Sequence, residues 1–196
     1  MDTKTIFGES LLALNKTKDL DKITISDILK KAGFSRQTFY NHFADKYELI
    51  QYVYKQMIIP TFDHLSADFD FTANMLVAYQ NMQNHRKFMQ QACRFKDQNN
   101  LQEYIFYHCY NFDLAWYQLL FKGPLPTEVL LACQYHAHAC THLTLEWIED
   151  STFDYQEIVE ASSTPAKPAS TPSLKNMTNQ RRIKKGRDKG RTATSS

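Results

Sequence analysis

An all-α fold is predicted, with a small three-helix N-terminal domain and a larger helical C-terminal domain. Apolar residues recur at helical spacing through most of residues 3–160, and no alternating strand pattern or internal repeat occurs. Start and stop residues mark the helix ends in residues 22–50. The last 36 residues abandon both patterns. Composition agrees: 43% of residues are hydrophobic, and 13 Phe and 11 Tyr supply bulk for a core in a 196-residue chain.

Residues 3–18 form the first predicted helix, with Ile6, Leu11 and Leu14 inward. The second begins after Thr24, with Asp27 three residues on, a spacing that lets the two side chains satisfy free N–H groups reciprocally. Ile25, Ile28 and Leu29 make its apolar stripe. Gly33 suits a left-handed C-cap and Ser35 an N-cap, so Ala32-Gly33-Phe34-Ser35 is a tight turn between two helices. The third helix, about residues 36–42, turns Phe39 inward, and Phe43 four residues on joins it. Arg36, Gln37, Thr38, Tyr40, Asn41 and His42 are left as donors and acceptors elsewhere. A short helix with so many polar tips suits the major groove of DNA better than a core. Asp45 caps a fourth helix that runs through Leu49, Val53 and Met57 until Pro60 ends it.

This stretch resembles the DNA-binding domain of the TetR family of bacterial transcription regulators. The residues that carry the resemblance are Thr24, Ala32-Gly33-Phe34-Ser35, Thr38-Phe39-Tyr40-Asn41-His42-Phe43 and Asp45-Lys46-Tyr47-Glu48-Leu49. They cover about the first 50 residues. Gln37 departs from the Gly or Ala common there, so the operator is this chain's own. The wording around Gln37–Phe43 and the short aromatic body are similar to the branch that includes an activator of a dihydroxyacetone kinase operon, which leaves activation as open as repression. The resemblance implies phosphate contacts from Thr24, Tyr40, His42 and Lys46. Arg36 and Gln37 are the base readers by chemistry, since Arg pairs with guanine and Gln with adenine. Ser35, Thr38 and Asn41 complete the expected DNA-binding set, and Ser35 and Thr38 suit either role. The resemblance also implies a helical body that holds an effector. Its last two helices pair with a second subunit, so that a homodimer meets a palindromic operator on double-stranded DNA.

The expected domains are 1–46 for the helix-turn-helix head, 47–160 for the ligand-binding and dimerisation body, and 161–196 for a disordered basic tail. In the body, residues 61–71 read as a loop, and residues 72–83 and 86–94 as two shorter helices. Met75, Met82 and Met89 read as core fillers. Residues 99–121 are apolar nearly all round, which predicts a helix buried on most sides. Gly123-Pro124-Leu125-Pro126 makes a firm turn, and Thr127 is the expected cap of a long helix reaching about Asp150. A further short helix is expected over residues 153–160.

Charge divides along the chain. Residues 1–50 carry +1 (eight basic, seven acidic), residues 51–160 carry −7 (six and thirteen), and residues 161–196 carry +8 (nine and one). The acidic middle is unsuited to DNA, whereas a near-neutral head can bind it when its basic groups gather on one face. The Pro-, Ser-, Thr- and Lys/Arg-rich tail is disordered by composition. It reads either as a basic arm adding nonspecific DNA affinity or as an altered C-terminal end that cuts short the last helix.

For an effector, the sequence leaves two chemistries open beside a protein co-regulator. Cys133, His136 and Cys140 fall within about 60° of one another on a helix, on the side of Leu130, Leu143, Thr144 and Trp147. Thiolate and imidazole are ligands that Zn2+ prefers. His138 and His142 lie opposite. The other reading is an aromatic-walled cavity for a small organic molecule, with Tyr104, His108, Phe112, Trp116 and His136 as candidate walls. No cofactor is required by either. The four cysteines show no paired spacing and read as thiols. No run of eighteen apolar residues and no signal peptide occur, so a soluble cytoplasmic chain without membrane contact is expected. No phosphate loop, nucleophile elbow or HExxH motif points to an enzyme. The rival reading is a zinc-sensing or partner-binding helical protein whose head binds DNA poorly.

Overall fold

The computed structural model describes residues 2–63, 69–96, 100–121, 123–150 and 153–163. The tail expected over residues 161–196 starts too early, since residues 161–163 end the last helix, and the rest of it, from Thr164 onward, lies outside the described residues. The described residues are all helix and connection, with no strand among them.

Helix α1 (Thr3–Asn15) is capped by Asp2 and ends earlier than its apolar pattern suggested. Asn15 closes it by donating to the Lys18 carbonyl at 3.2 Å. Phe7, which the apolar pattern of α1 did not single out, is its central buried residue together with Leu11. Its ring meets Phe34 and Phe39 at 5.3 Å and Phe43 at 6.2 Å, so one side chain ties α1 to the turn and to the third helix. Gly8 lets α1 lie close on the fourth helix: a Cβ there would sit 2.8 Å from Met57 Sδ and 3.2 Å from Val53 Cγ2.

Helices α2 (Ile25–Ala32), α3 (Arg36–Tyr40) and α4 (Lys46–Val53) obey their local signals. Thr24 and Asp27 form the reciprocal cap, Gly33 adopts φ 75°, Ser35 accepts from Thr38 N–H, and Asp45 accepts from Glu48 N–H. Beyond Val53 the helix widens to a π turn at Tyr54–Ile58, then tightens to a 3₁₀ turn at Pro60–Asp63. Pro60 lacks the N–H that a continued helix would need.

The body contains α5 (Phe71–Asn84), α6 (Arg86–Ala92), α7 (Leu101–Leu120), α8 (Thr127–Glu149) and α9 (Tyr155–Ser163). Its core holds Tyr54, Ile58, Tyr79, Met82, Phe88, Met89, Trp147, Ile148 and Val159, continuous with that of the head. The methionines fill this core as expected, Met75 at its margin. Tyr79 hydrogen-bonds Thr144 Oγ1 at 2.8 Å and stacks on Tyr155, joining α5, α8 and α9.

Three expectations need correction. Helix α7 is not buried on most sides: Tyr107, Leu119 and Leu120 are exposed, and its buried residues are Leu101, Ile105 and Asp113. Apolar residues all round a helix do not show which of its faces the chain itself covers. Leu130 and Leu143 likewise face outward on α8. Thr127 is the first residue of α8 rather than its cap; Pro126 holds the cap position, without a side-chain bond to the helix.

Candidate nucleic-acid interface and effector cavity

The third helix presents its polar tips as its sequence requires. Ser35, Arg36, Gln37, Tyr40 and Asn41 are exposed, Thr38 and His42 are half-buried, and Phe39 is fully buried beneath them. The tips are partly held in place. Gln37 Nε2 donates to Asn41 Oδ1 at 2.9 Å, Arg36 Nη2 reaches Ser26 Oγ at 3.4 Å, and the Ser35 and Thr38 hydroxyls lie 2.8 Å apart. Tyr40 packs edge-on against Phe39 with its side chain still 45% exposed. His42 leans on the Phe43 ring. Thr24 is exposed, but its hydroxyl is engaged with Asp27. Lys18 pairs with the same carboxylate at 2.7 Å, and these bonds hold Asp27 well below the usual carboxylate range.

Lys46, expected as a phosphate contact, has its ammonium engaged within the head. Its ammonium donates to the carbonyls of Leu20 and Ile23 at 3.0 Å and lies 3.5 Å from that of Asp21. A lysine has three N–H donors, so this set occupies them. Burial lowers its pKa, and the Phe95 ring lies 5.4 Å away. Lys46 thus ties the start of α4 to the loop after α1.

The body holds a partly open cavity of about 50 Å³ between α5, α7, α8 and the π turn. His108, Phe112 and His136 line it as expected. Tyr104 stands behind His108, its ring 6.3 Å away, and Trp116 lies outside the wall. Phe62, Phe71, Met75, Tyr79, Asp113 and Cys140 complete much of the lining. Phe112 packs on Phe62 at 5.2 Å and on Phe71 at 6.1 Å, making the aromatic side. A wider cleft of about 380 Å³ runs along the seam between head and body, lined by Glu9, Leu12, Asn15, Lys16, His85 and Lys87 among others.

The polar wall of the cavity is a chain of three groups. Asp113 on α7 accepts from His136 Nδ1–H at 2.7 Å, and His136 Nε2 lies 3.1 Å from Cys140 Sγ. The Asp113 carboxylate, helped by Cys140, raises the His136 pKa to about 10 against the cost of partial burial. The imidazole is therefore protonated at neutral pH and donates from both nitrogens. Cys133 is buried one turn away, and burial raises its thiol to about 11. The sequence trio of Cys133, His136 and Cys140 thus becomes a different trio that includes Asp113. Among the described residues, no group of three or more His, Cys, Asp or Glu side chains is placed to hold a metal ion. His138 and His142 face out, His138 against the Phe106 ring at 4.4 Å and His142 beside Glu146 at 3.3 Å.

Gln91 on α6 is a residue that local sequence patterns could not show. Its Oε1 accepts from Asn15 Nδ2 and from Leu20 N–H, both at 2.8 Å, and its Nε2 donates to Asp19 at 3.0 Å. The same short helix holds the end of α8. Arg86 donates to the Trp147 carbonyl, Gln90 to that of Ile148 at 2.9 Å, and Arg94 pairs with Glu149 at 3.0 Å.

A head of this construction, with an exposed polar third helix on a buried aromatic base, defines a helix-turn-helix protein. Residues 12–53 match the family model described as bacterial regulatory proteins, tetR family. Over these residues the head is similar to the DNA-binding region of TetR-family regulators. Two uncharacterised HTH-type transcriptional regulators of Bacillus subtilis are similar over the same region. YxbF is 42% identical over 53 residues (27% of this chain and 14% of that protein), and YvdT is 44% identical over 48 residues (24% and 25%). The alignments span a quarter or less of those relatives. Solved structures show the fold over most of the chain. The dihydroxyacetone kinase operon activator DhaS superposes with a TM-score of 0.62 at 19% identity, covering 82% of this chain and 92% of that one. The Thermus thermophilus repressor FadR, solved with lauroyl-CoA, gives 0.56 at 13% identity, covering 86% and 98%. No helix among the described residues is long and apolar enough to cross a membrane.

Proposed function

We propose that the chain is a sequence-specific transcriptional regulator that binds a palindromic operator as a homodimer and responds to a small molecule held in its body. The observation that carries the first part is the exposure of Arg36, Gln37, Tyr40 and Asn41 on one short helix anchored by buried Phe39. Arg36 and Gln37 read bases, and Thr24, Ser35, Thr38, Tyr40 and His42 position the phosphate backbone.

The dimer rests on the uncovered side of α7 and α8. Leu119 is 60% exposed, Leu131 50% and Tyr135 77%, with Leu120, Leu130 and Leu143 nearby in sequence. Large apolar residues gathered along two long helices call for a partner surface. A second copy supplies the same two helices by two-fold symmetry and makes a four-helix seam. The short α9 packs on α5 through Tyr155 and is not needed for that seam. Two heads joined in this way read half-sites about one DNA turn, ~34–36 Å, apart.

Selection from a random duplex library at about 0.15 M salt tests this reading, because nonspecific binding is weak there. Recovery of a palindrome whose half-sites are one turn apart is the expected result. Unselective recovery would refute specific regulation by this chain.

A further inference from the structure

The Asp113–His136–Cys140 chain exceeds what packing of α7 on α8 requires. A buried carboxylate costs free energy unless paired, and an apolar pair at the same place often serves stability as well. Here the carboxylate fixes an imidazole whose far nitrogen meets a sulfur at 3.1 Å. A sulfur beside an imidazolium that a carboxylate orients is an arrangement that activates cysteines for attack. All three groups face one cavity, opposite the Phe62, Phe71 and Phe112 rings. Cys140 is buried like Cys93 and Cys133, and Cys109 lines the same cavity; what sets Cys140 apart is the imidazole nitrogen at 3.1 Å from its sulfur, while burial pushes Cys93 up to about 12, Cys133 to about 11 and Cys109 further still. Buried thiols of that kind are inert.

We propose that Cys140 is a covalent sensing nucleophile, adding to short α,β-unsaturated carbonyl compounds that enter the cavity, with His136 supplying the proton and Asp113 positioning the imidazole. This names the effector class of the regulator proposed above and rests on that reading.

Size and lining select the class. One water needs about 10–15 Å³ of such space, so about 50 Å³ admits roughly three to five water-sized groups. A small enal or enone fits. The apolar, aromatic walls favour it over a sugar, a nucleotide or a charged acid. Its carbonyl oxygen needs one donor, and His136 is the donor that the wall offers beside the sulfur.

The step balances with water as the only further reactant. Sγ forms a bond to the β-carbon as the carbon–carbon π bond breaks, and that electron pair moves onto the α-carbon and carbonyl as an enolate. Cys140 attacks as the thiolate paired with the His136 imidazolium, whose Nε2 proton passes to the α-carbon, and the imidazole then regains a proton from water. The product is a thioether with no leaving group, so the reaction stops at one adduct per site. That outcome suits a sensor rather than an enzyme. The adduct stands between α7 and α8, and the end of α8 is held by Arg86 and Gln90 of the helix that grips the head through Gln91, and by Arg94 just beyond that helix.

The test treats the full chain with limiting methyl vinyl ketone and follows intact mass and cysteine-containing peptides with time. One adduct is expected, at Cys140, forming at least about tenfold faster than at Cys93, Cys109 or Cys133. His136→Gln should slow it by roughly 100-fold, the scale of general acid–base assistance. Asp113→Asn should slow it too, and Asp113→Glu should recover part of the rate, which a merely structural role for Asp113 would not produce. Labelling of the unsubstituted chain that ignores Cys140, or equals that at the other thiols, overturns the proposal without any variant having to fold. An undiminished rate in a folded His136→Gln chain does the same. A second arm compares selected-DNA affinity before and after labelling and expects at least about a fivefold change. Rapid Cys140 labelling with unchanged affinity overturns the sensing role. Failure to select any DNA refutes the regulator reading while leaving the reactivity result readable.

Discussion

Replacing Gln91 with alanine should loosen the head from the body at a cost that the geometry sets. The substitution removes three hydrogen bonds, two at 2.8 Å to Asn15 Nδ2 and Leu20 N–H and one at 3.0 Å to Asp19. Leu20 is fully buried, so its N–H is left without a partner, which costs about 1–3 kcal/mol. Asn15 keeps its bond to the Lys18 carbonyl and loses roughly 1 kcal/mol. The exposed Asp19 bond adds a few tenths. The sum is about 3 kcal/mol, or a fall of ~6–12 °C in Tm for a folded unit of this size. Thermal unfolding at fixed protein concentration measures it, because a dimer's Tm depends on concentration. Gln91→Glu keeps both acceptor bonds and faces Asp19 with a like charge, so its Tm should fall between those of the parent and the alanine variant. A loss below 2 °C for Gln91→Ala, or equal losses in both variants, would refute the clamp.

Arg36→Ala should cost roughly 1–3 kcal/mol on the selected operator and relax sequence choice, read by titration of specific and random duplexes; equal losses on both would remove Arg36 from base reading. Lys46→Ala should lower Tm, by about 1–2 kcal/mol of lost carbonyl bonding, and leave the salt dependence of DNA binding unchanged; a flatter salt slope at parental Tm would restore a phosphate role. Tyr135→Glu should shift the chain toward monomer in sedimentation while the isolated subunit keeps its helicity, and an unchanged sedimentation coefficient would move the dimer seam off α8. His136 has its pKa raised from 6.5 to about 10, so its pairing stabilises the fold fully below pH 6.5 and loses that contribution as pH rises through 10. The stability lost between pH 7 and 10 should therefore shrink in His136→Gln, as read by denaturant titration across that range.

The head was legible because its determinants are local. Thr24 with Asp27, Ser35 with Thr38 and Asp45 with Glu48 are each three residues apart, and Gly33 acts through its own φ. Such bonds can be read from spacing alone. The bonds of Lys46 were not legible because its partners lie 23 to 26 residues earlier and are backbone carbonyls, which leave no mark on a sequence pattern. In the body the decisive pairs are more distant or cross helices: Gln91 with Asn15, and Asp113 with His136. A signal for Asp113 did exist, since it is the only Asp, Glu, Lys or Arg between Glu103 and Lys122. A lone carboxylate in an otherwise apolar helix demands a partner, and the nearest candidates were the histidines of α8. Helix α7 shows the opposite limit. Periodicity reports how apolar a helix is all round, and cannot say which of its faces the chain itself covers.

The placement of α6 joins the end of α8 to the loop after α1. Of its seven residues, Arg86 and Gln90 hold the carbonyls that end α8, with Arg94 just beyond pairing Glu149, while Gln91 holds the close of α1 and the loop after it. Phe88 and Met89 are buried between these two sets. A helix so fixed at both sides cannot follow one neighbour without pulling on the other, because close-packed interiors shift between arrangements rather than deform smoothly. Movement of α8 away from α7 would therefore act first on the loop after α1. Lys46 and Gln91 both bind that loop, and Lys18 within it binds Asp27 at the start of α2. The angle of α2, and of α3 across the Gly33 turn, is set from there. A ligand can use this route only by preferring one of its two arrangements, and its effect on DNA is bounded by that difference in affinity. Gln91→Ala should accordingly weaken any effector response more than it weakens operator binding itself, whereas a response routed through α4 alone would survive the substitution unchanged.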